Sequence, residues 1–220
     1  MLVAGVDEAG RGCVIGPLVL AGFLIKEENL PVLAQLGVKD SKLLSPKKRE
    51  ALFKEITRVA EKHCIVKLSP KEIDRAVECK IKLHKLNRLE AQTMAQIINT
   101  LKPDAAYVDA ADVLEDRFKQ HIQENLNVKA KITSKHKADK IYPVVSAASI
   151  IAKVERDNEI ATLKATYGDF GSGYPTDQKT TRFLKQWLQT HAEYPDCVRK
   201  SWKTAKQAKN EKGTTQKKLG

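Results

Sequence analysis

Four carboxylates in this sequence stand where carboxylates do chemistry: Asp7, Glu8, Asp109 and Asp139. Asp7 and Glu8 end a short apolar run (Leu2, Val3, Val6), and Asp109 ends another, Ala105-Ala106-Tyr107-Val108. Asp139 lies just past a third, in the turn Ser134-Lys135-His136-Lys137-Ala138-Asp139-Lys140. Runs of that kind read as buried strands, so acids at their ends meet one another's charge where water is scarce. An Asp-Glu pair alone also suits a solvated turn; further acids at further strand ends favour convergence. Hard oxygen donors suit Mg2+ or Mn2+. Two such ions would activate water and stabilise the leaving oxygen of an in-line phosphodiester displacement.

The rest of the composition agrees with a polyanionic substrate. The chain has 220 residues and a net charge of +12, with a pI of about 9.5. Nucleic acid is the expected partner, and the acids form an acidic hole in a basic surface. A glycosidase also needs paired acids, but aromatics are only 5% of the chain, too few for a typical sugar cleft. The turn Gly10-Arg11-Gly12 is too short for a P-loop and no Lys-Ser/Thr follows it. Ser41-Lys42 is a poor nucleophile pair, because adjacent side chains seldom face one another. His136 fits either a proton-transfer residue at the mouth of the site or a solvated loop histidine. Cys13, Cys64, Cys79 and Cys197 show no C-x-x-C spacing, which argues against zinc and against a disulfide framework. The longest apolar run, Val14 to Ile25, is too short to span a bilayer and contains Gly16 and Pro17. Asp7 and Glu8 interrupt the only early apolar run, so no signal peptide is read. A cytoplasmic protein with no membrane role is expected.

The elements that must position the acids can be read in order. The first run and Val14 to Ile25 read as two strands joined by a tight glycine turn. Leu30 to Leu36 reads as a short helix closed by Gly37. Ser45-Pro46 starts another, with Leu52, Phe53, Ile56 and Val59 on its buried stripe. Cys64 to Leu68 reads as a weak strand, and Ser69-Pro70-Lys71-Glu72 as a capping box. Leu86 to Lys102 has helical spacing and stops at Pro103. Val113 to Leu126 reads as an amphipathic helix, and Val128, Ala130 and Ile132 as the last strand. Tyr142 to Val154, rich in alanine and serine, predicts a buried helix in close contact with a neighbouring backbone. Gly168 to Pro175 is a glycine-rich loop carrying Tyr174, and Thr176 caps a helix through Phe183, Leu184, Trp187 and Leu188. Strands separated by helices, with the first two antiparallel, describe an α/β fold on a mixed sheet. From Lys203 the composition shifts to six lysines against one glutamate, which predicts a basic, mobile tail.

These motifs together resemble ribonuclease HII. They are Val6-Asp7-Glu8-Ala9-Gly10-Arg11-Gly12, Asp40-Ser41-Lys42-Leu43, Tyr107-Val108-Asp109, His136-Lys137-Ala138-Asp139 and Ser146-Ala147-Ala148-Ser149-Ile150-Ile151-Ala152-Lys153, with Gly171-Ser172-Gly173-Tyr174-Pro175 in the archaeal form. The likeness covers about residues 1 to 203. It implies a ribonuclease H-like mixed sheet in a catalytic domain of residues 1–145. Residues 146–203 would form a helical region completing the substrate groove, and residues 204–220 the tail. It implies a monomeric Mg2+- or Mn2+-dependent endonuclease serving DNA replication and repair. Such an enzyme cuts the RNA strand of RNA–DNA hybrids, and cuts 5′ of single ribonucleotides in duplex DNA, leaving 3′-OH and 5′-phosphate ends. Asp7, Glu8, Asp109 and Asp139 would then be the catalytic metal ligands. Gly10, Arg11, Gly12 and Tyr174 would recognise the ribonucleotide, where peptide groups reach a 2′-hydroxyl. Lys42 would contact phosphate. Many archaeal relatives end in a clamp-binding peptide with two aromatic anchors. Gln216-Lys217-Lys218-Leu219-Gly220 supplies only its start, so sliding-clamp binding is not expected.

Overall fold

The computed structural model describes residues 1–38, 44–79 and 85–217, with side chains as far as residue 211. They fall into two compact units. The first comprises residues 1–9, 19–67 and 83–155, and the second residues 10–18, 68–82 and 156–220. Among the described residues, no helix is long and apolar enough to cross a membrane.

The first unit is built on a five-stranded mixed sheet: β1 (Leu2–Ala9), β2 (Leu18–Lys26), β3 (Lys62–Leu68), β4 (Ala105–Asp109) and β5 (Lys131–Lys135). Their order across the sheet is β3-β2-β1-β4-β5. β1 runs antiparallel to β2 and parallel to β4, and β4 parallel to β5. β2 is buried along its whole length except Lys26, as its unbroken apolar sequence requires. It starts four residues later than the apolar run suggests, because Gly16 and Pro17 interrupt that run. β5 likewise begins at Lys131 rather than Val128, opposite Ala105, the first residue of its partner strand.

The helices of this unit are α1 (Leu30–Gln35), α2 (Pro46–Val59), α4 (Lys85–Leu101), α5 (Glu115–Gln123), α6 (Ala138–Ile141) and the first half of α7 (Pro143–Tyr167). Ser45 caps α2 by accepting from Lys48 N. α5 is shorter than its periodicity suggests. Asp112 accepts from Leu114 N at 3.1 Å and pairs with Arg117, which sets the helix start after the exposed Val113 and Leu114.

Two glycines show which helix covers which face of the sheet. A Cβ on Gly22 would lie 2.3 Å from Ile97 of α4, and one on Gly5 would lie 2.1 Å from the backbone of Val144 in α7. Gly22 pairs with Val6 and Gly5 with Phe23. Paired residues share a face and successive residues alternate, so α4 and α7 cover opposite faces. The close approach at Gly5 explains the small residues of α7. Val3, Ala21, Phe23, Ile56, Val145, Ala148 and Ile151 form part of the core beneath it.

The second unit contains α3 (Pro70–Glu78), the second half of α7, α8 (Gln178–Thr190) and α9 (Lys203–Lys217). The capping box of α3 is complete: Ser69 Oγ accepts from Glu72 N, and Glu72 Oε2 accepts from Ser69 N at 2.8 Å. The cap of α8 is Asp177 rather than Thr176, accepting from Lys179 N at 2.9 Å. Where the sequence suggests a mobile tail, α9 is helical, and Ala205 and Ala208 are buried beside Leu184, Leu188 and Tyr194. Alanines three apart give this lysine-rich segment a narrow apolar edge.

Candidate active site

The pairing of β1 with β4 decides where the acids go. Val6 stands opposite Val108 in parallel register, so Asp7 and Asp109 follow as neighbours on adjacent strands. By alternation both lie on the face that carries Gly5, the α7 face. Ser149 of α7 is hydrogen-bonded to the Asp7 carboxyl. Asp7 is 4% exposed and also accepts from Glu8 N at 2.7 Å. Asp109 Oδ1 accepts from Ala138 N at 2.8 Å, which ties the end of β4 to the start of α6. That bond holds the next residue, Asp139, beside the strand ends; it too is 4% exposed. Asp139 therefore reaches the site from a helix of one turn, entered through Lys137 at φ +55°. Glu8, one residue beyond Asp7, leaves β1 toward the other face.

The electrostatics follow from this geometry. The Asp7 pKa is pushed up to about 8, first by burial, then by the charge of Asp109, and less by that of Asp139. The bonds from Ser149 and Glu8 N act against the shift without cancelling it. Asp7 thus feels both other carboxylates in a poorly solvated place. Among the described residues, no three His, Cys, Asp or Glu side chains already close around an ion position. The donor set still fits Mg2+ or Mn2+. Such ions keep several waters and bind through one or two carboxylates plus substrate phosphate rather than in an all-protein cage.

Around the acids, Glu115 secures the turn that carries His136. It accepts from Lys135 Nζ at 2.9 Å and from His136 N at 2.8 Å. His136 is exposed, with Nε2 3.2 Å from Val113 O. Lys42 and the Asp40-to-Leu43 motif lie outside the described residues.

The second unit brings together Gly10-Arg11-Gly12 and Tyr174. Gly10 adopts φ +86°, and a Cβ there would sit 2.8 Å from Arg156 Nε, so only glycine fits. A Cβ on Gly12 would lie 3.9 Å from Tyr174 Cε1, which places loop and ring in contact range. Gly173 O accepts from Val14 N and Ile15 N, at 2.8 and 3.2 Å, locking the tyrosine loop to the chain after Gly12. Arg156 donates to Ser172 O and Cys13 Sγ, and its guanidinium stands 5.0 Å from the Tyr174 ring centre. Burial first, and then Cys13, push the Tyr174 hydroxyl up to about 12, so the phenol stays protonated. Arg199, 0% exposed, binds three carbonyls of the glycine segment.

Ser149, Arg156 and Arg199 did not stand out in the sequence. Ser149 lies in a motif that reads as helix packing, and a buried arginine cannot be told from a surface one by type.

Comparison with known proteins agrees with this arrangement. The family model described as Ribonuclease HII matches residues 4–205. Ribonuclease HII of Pyrococcus abyssi is 48% identical over 208 residues, 94% of this chain and 90% of its own length. The crystal structure of ribonuclease H2 from Pyrococcus horikoshii OT3 superimposes with a TM-score of 0.89 at 45% identity, covering 96% of this chain and 98% of that one. An Archaeoglobus fulgidus chain from a PCNA:RNase HII complex gives a TM-score of 0.83 at 44% identity, covering 92% and 96%.

Proposed function

The chain belongs to the ribonuclease HII family and is a metal-dependent endoribonuclease, and on that premise we propose how its residues divide the work. It hydrolyses the RNA strand of RNA–DNA hybrids and cuts on the 5′ side of a single ribonucleotide in duplex DNA. The observation that supports this most is the β1–β4 register, which sets Asp7 and Asp109 side by side on the α7 face.

Asp7, Asp109 and Asp139, on the α7 side, are the proposed ligands for Mg2+ or Mn2+, together with Glu8, whose side chain would turn from the other face of β1 to join them. Held there, such ions supply an activated water and stabilise charge on the leaving oxygen. Ser149 orients Asp7, and Ala138 N orients Asp109. Both bonds fix carboxylate rotamers before substrate arrives, which avoids reorganisation during reaction. The peptide groups of Gly10, Arg11 and Gly12 read the 2′-hydroxyl, the group that separates ribose from deoxyribose. Tyr174, kept as a neutral phenol, stacks on the sugar beside the cut. Lys42 is the proposed phosphate contact, and the +12 charge draws in the duplex.

The substrate, then, is an RNA–DNA hybrid or a ribonucleotide-containing duplex. A sliding clamp is kept as a proposed second partner. The sequence expectation against clamp binding rests on Gln216 to Gly220, of which residues 218–220 lie outside the described residues, while a 44% identical relative was solved with PCNA. Co-elution of the full chain with a PCNA ring tests it.

Cleavage mapping on a duplex with one embedded ribonucleotide, with Mg2+ or Mn2+ added, tests the main reading. A single cut 5′ of the ribonucleotide, leaving 3′-OH and 5′-phosphate ends, is expected. A cyclic phosphate product, or equal cutting of the all-DNA duplex, contradicts it.

A further inference from the structure

Arg199 takes no part in the chemistry described so far, yet it is wholly buried. Its Nη2 donates to Gly10 O at 2.7 Å, its Nη1 to Arg11 O at 2.8 Å, and its Nε to Gly16 O at 3.1 Å. A guanidinium is a rigid planar fork, so three acceptors at its three nitrogens fix both its plane and theirs. Its own backbone is anchored too: Arg199 N donates to Val14 O at 2.8 Å, and Ile15 bridges to Val198.

The consequence lies on the far side of the peptide units. A trans peptide is planar, so the carbonyl of Gly10 and the N–H of Arg11 point in opposite directions. The same holds for the carbonyl of Arg11 and the N–H of Gly12. With both carbonyls held by Arg199, both N–H bonds are aimed away from it. Gly12 is exposed, with Tyr174 next to it. The loop's own bond to the Gly10 carbonyl, from Cys13 N, is longer at 3.3 Å, and glycine on both sides of Arg11 leaves the backbone freer to rotate. Arg156 does different work, holding Cys13 and Ser172 and standing over the Tyr174 ring.

We propose that Arg199 is a positioning residue for ribonucleotide recognition, orienting the peptide N–H groups of Arg11 and Gly12 as a paired donor for the ribose 2′-hydroxyl. The proposal rests on the functional reading above, in which this loop meets the ribose. Lysine at 199 keeps the charge but reaches the carbonyls as a point rather than a fork.

The test is the affinity ratio between a duplex with one ribonucleotide and its all-DNA counterpart. It is measured in chelator, so that nothing is cut, for the full wild-type chain and for Arg199→Lys. Wild type should favour the ribonucleotide by about tenfold or more, the loss expected when polar groups go unpaired. Arg199→Lys should bring the ratio close to one while keeping the all-DNA affinity, whereas a general weakening of the fold would lower both affinities together. A wild-type ratio in Arg199→Lys, or a parallel fall of both affinities, overturns the proposal. Should the variant fail to fold, the amide resonances of Arg11 and Gly12 in the wild type decide. Shifts with the ribonucleotide duplex alone support the proposal, and equal shifts with both duplexes overturn it. A wild-type chain that cuts no ribonucleotide-containing duplex instead removes the functional reading, and this proposal with it.

Discussion

The two units bury charge in opposite ways. In the first, burial and the neighbouring charges of Asp109 and Asp139 push the Asp7 pKa up to about 8. In the second, burial lowers the Arg199 pKa to about 10, still far enough above neutral pH to leave the guanidinium charged, and three carbonyls accept its hydrogen bonds. The Arg199 guanidinium meets three carbonyl acceptors, whereas the Asp7 carboxyl meets the like charge of Asp109 and Asp139. A complete network makes a preorganised surface, which reduces the ordering lost when substrate binds. A cluster of like charge is destabilising until a cation arrives. On the proposed reading, recognition rests on a network the folded chain makes by itself, whereas the cutting centre would be finished by a metal ion.

The largest expected effect comes from breaking the acidic side. Asp109→Asn should lower single-turnover cleavage by at least about a hundredfold, since metal chemistry contributes several kcal/mol to the barrier. Far-ultraviolet circular dichroism and hybrid affinity should change little. Retention of more than about a tenth of the wild-type rate would show that the acid is structural.

A smaller effect is expected on the recognition side. Tyr174→Ala should depress cleavage at a lone ribonucleotide by about tenfold, the scale of one lost stacking contact. Cleavage within a continuous hybrid should fall less. Tyr174→Phe keeps the ring over Arg156 and should cost less than alanine on both substrates. Equal losses on both substrates, with a lower melting temperature, would mean the ring only packs its loop.

The smallest effect concerns the lysines of α9. Truncation after residue 211 spares Ala205 and Ala208 and should leave stability and the cleavage position unchanged. Non-specific duplex affinity should fall modestly, and the slope of log K against log[salt] should flatten slightly. A shifted cleavage position would give α9 a place in substrate alignment.

Much of this was legible in the sequence because the signals are local. The acids at the ends of β1 and β4, the Ser69–Glu72 box and the small-residue face of α7 each follow from a few adjacent residues. The mixed α/β sheet follows from the order of strands and helices. What could not be read depends on partners far apart. Arg199 meets Gly10 across 189 positions and Arg156 meets Cys13 across 143, and nothing in either neighbourhood marks the pairing. The sequence puts Asp139 just past a strand, but its delivery by α6 depends on one bond from Ala138 N to Asp109. α9 was hidden because two alanines carry its packing while lysines dominate its composition.

The claim that the acids are gathered for a cation, at the expense of stability, has a direct measurement: denaturant unfolding of metal-free wild type and Asp7→Asn from pH 4 to pH 9. Below about pH 4, Asp7 is protonated in both the folded and unfolded states and contributes nothing. Between about 4 and 8 the unfolded chain releases a proton that the folded one retains, so wild-type stability must fall with rising pH. Asp7→Asn lacks this term and should be more stable at pH 8, by an amount on the order of a few kcal/mol. Adding Mg2+ or Mn2+ at pH 8 should restore the wild type by binding only the folded state, and do little for the variant. Parallel pH profiles for the two proteins, with no stabilisation of wild type by either ion, would contradict the account.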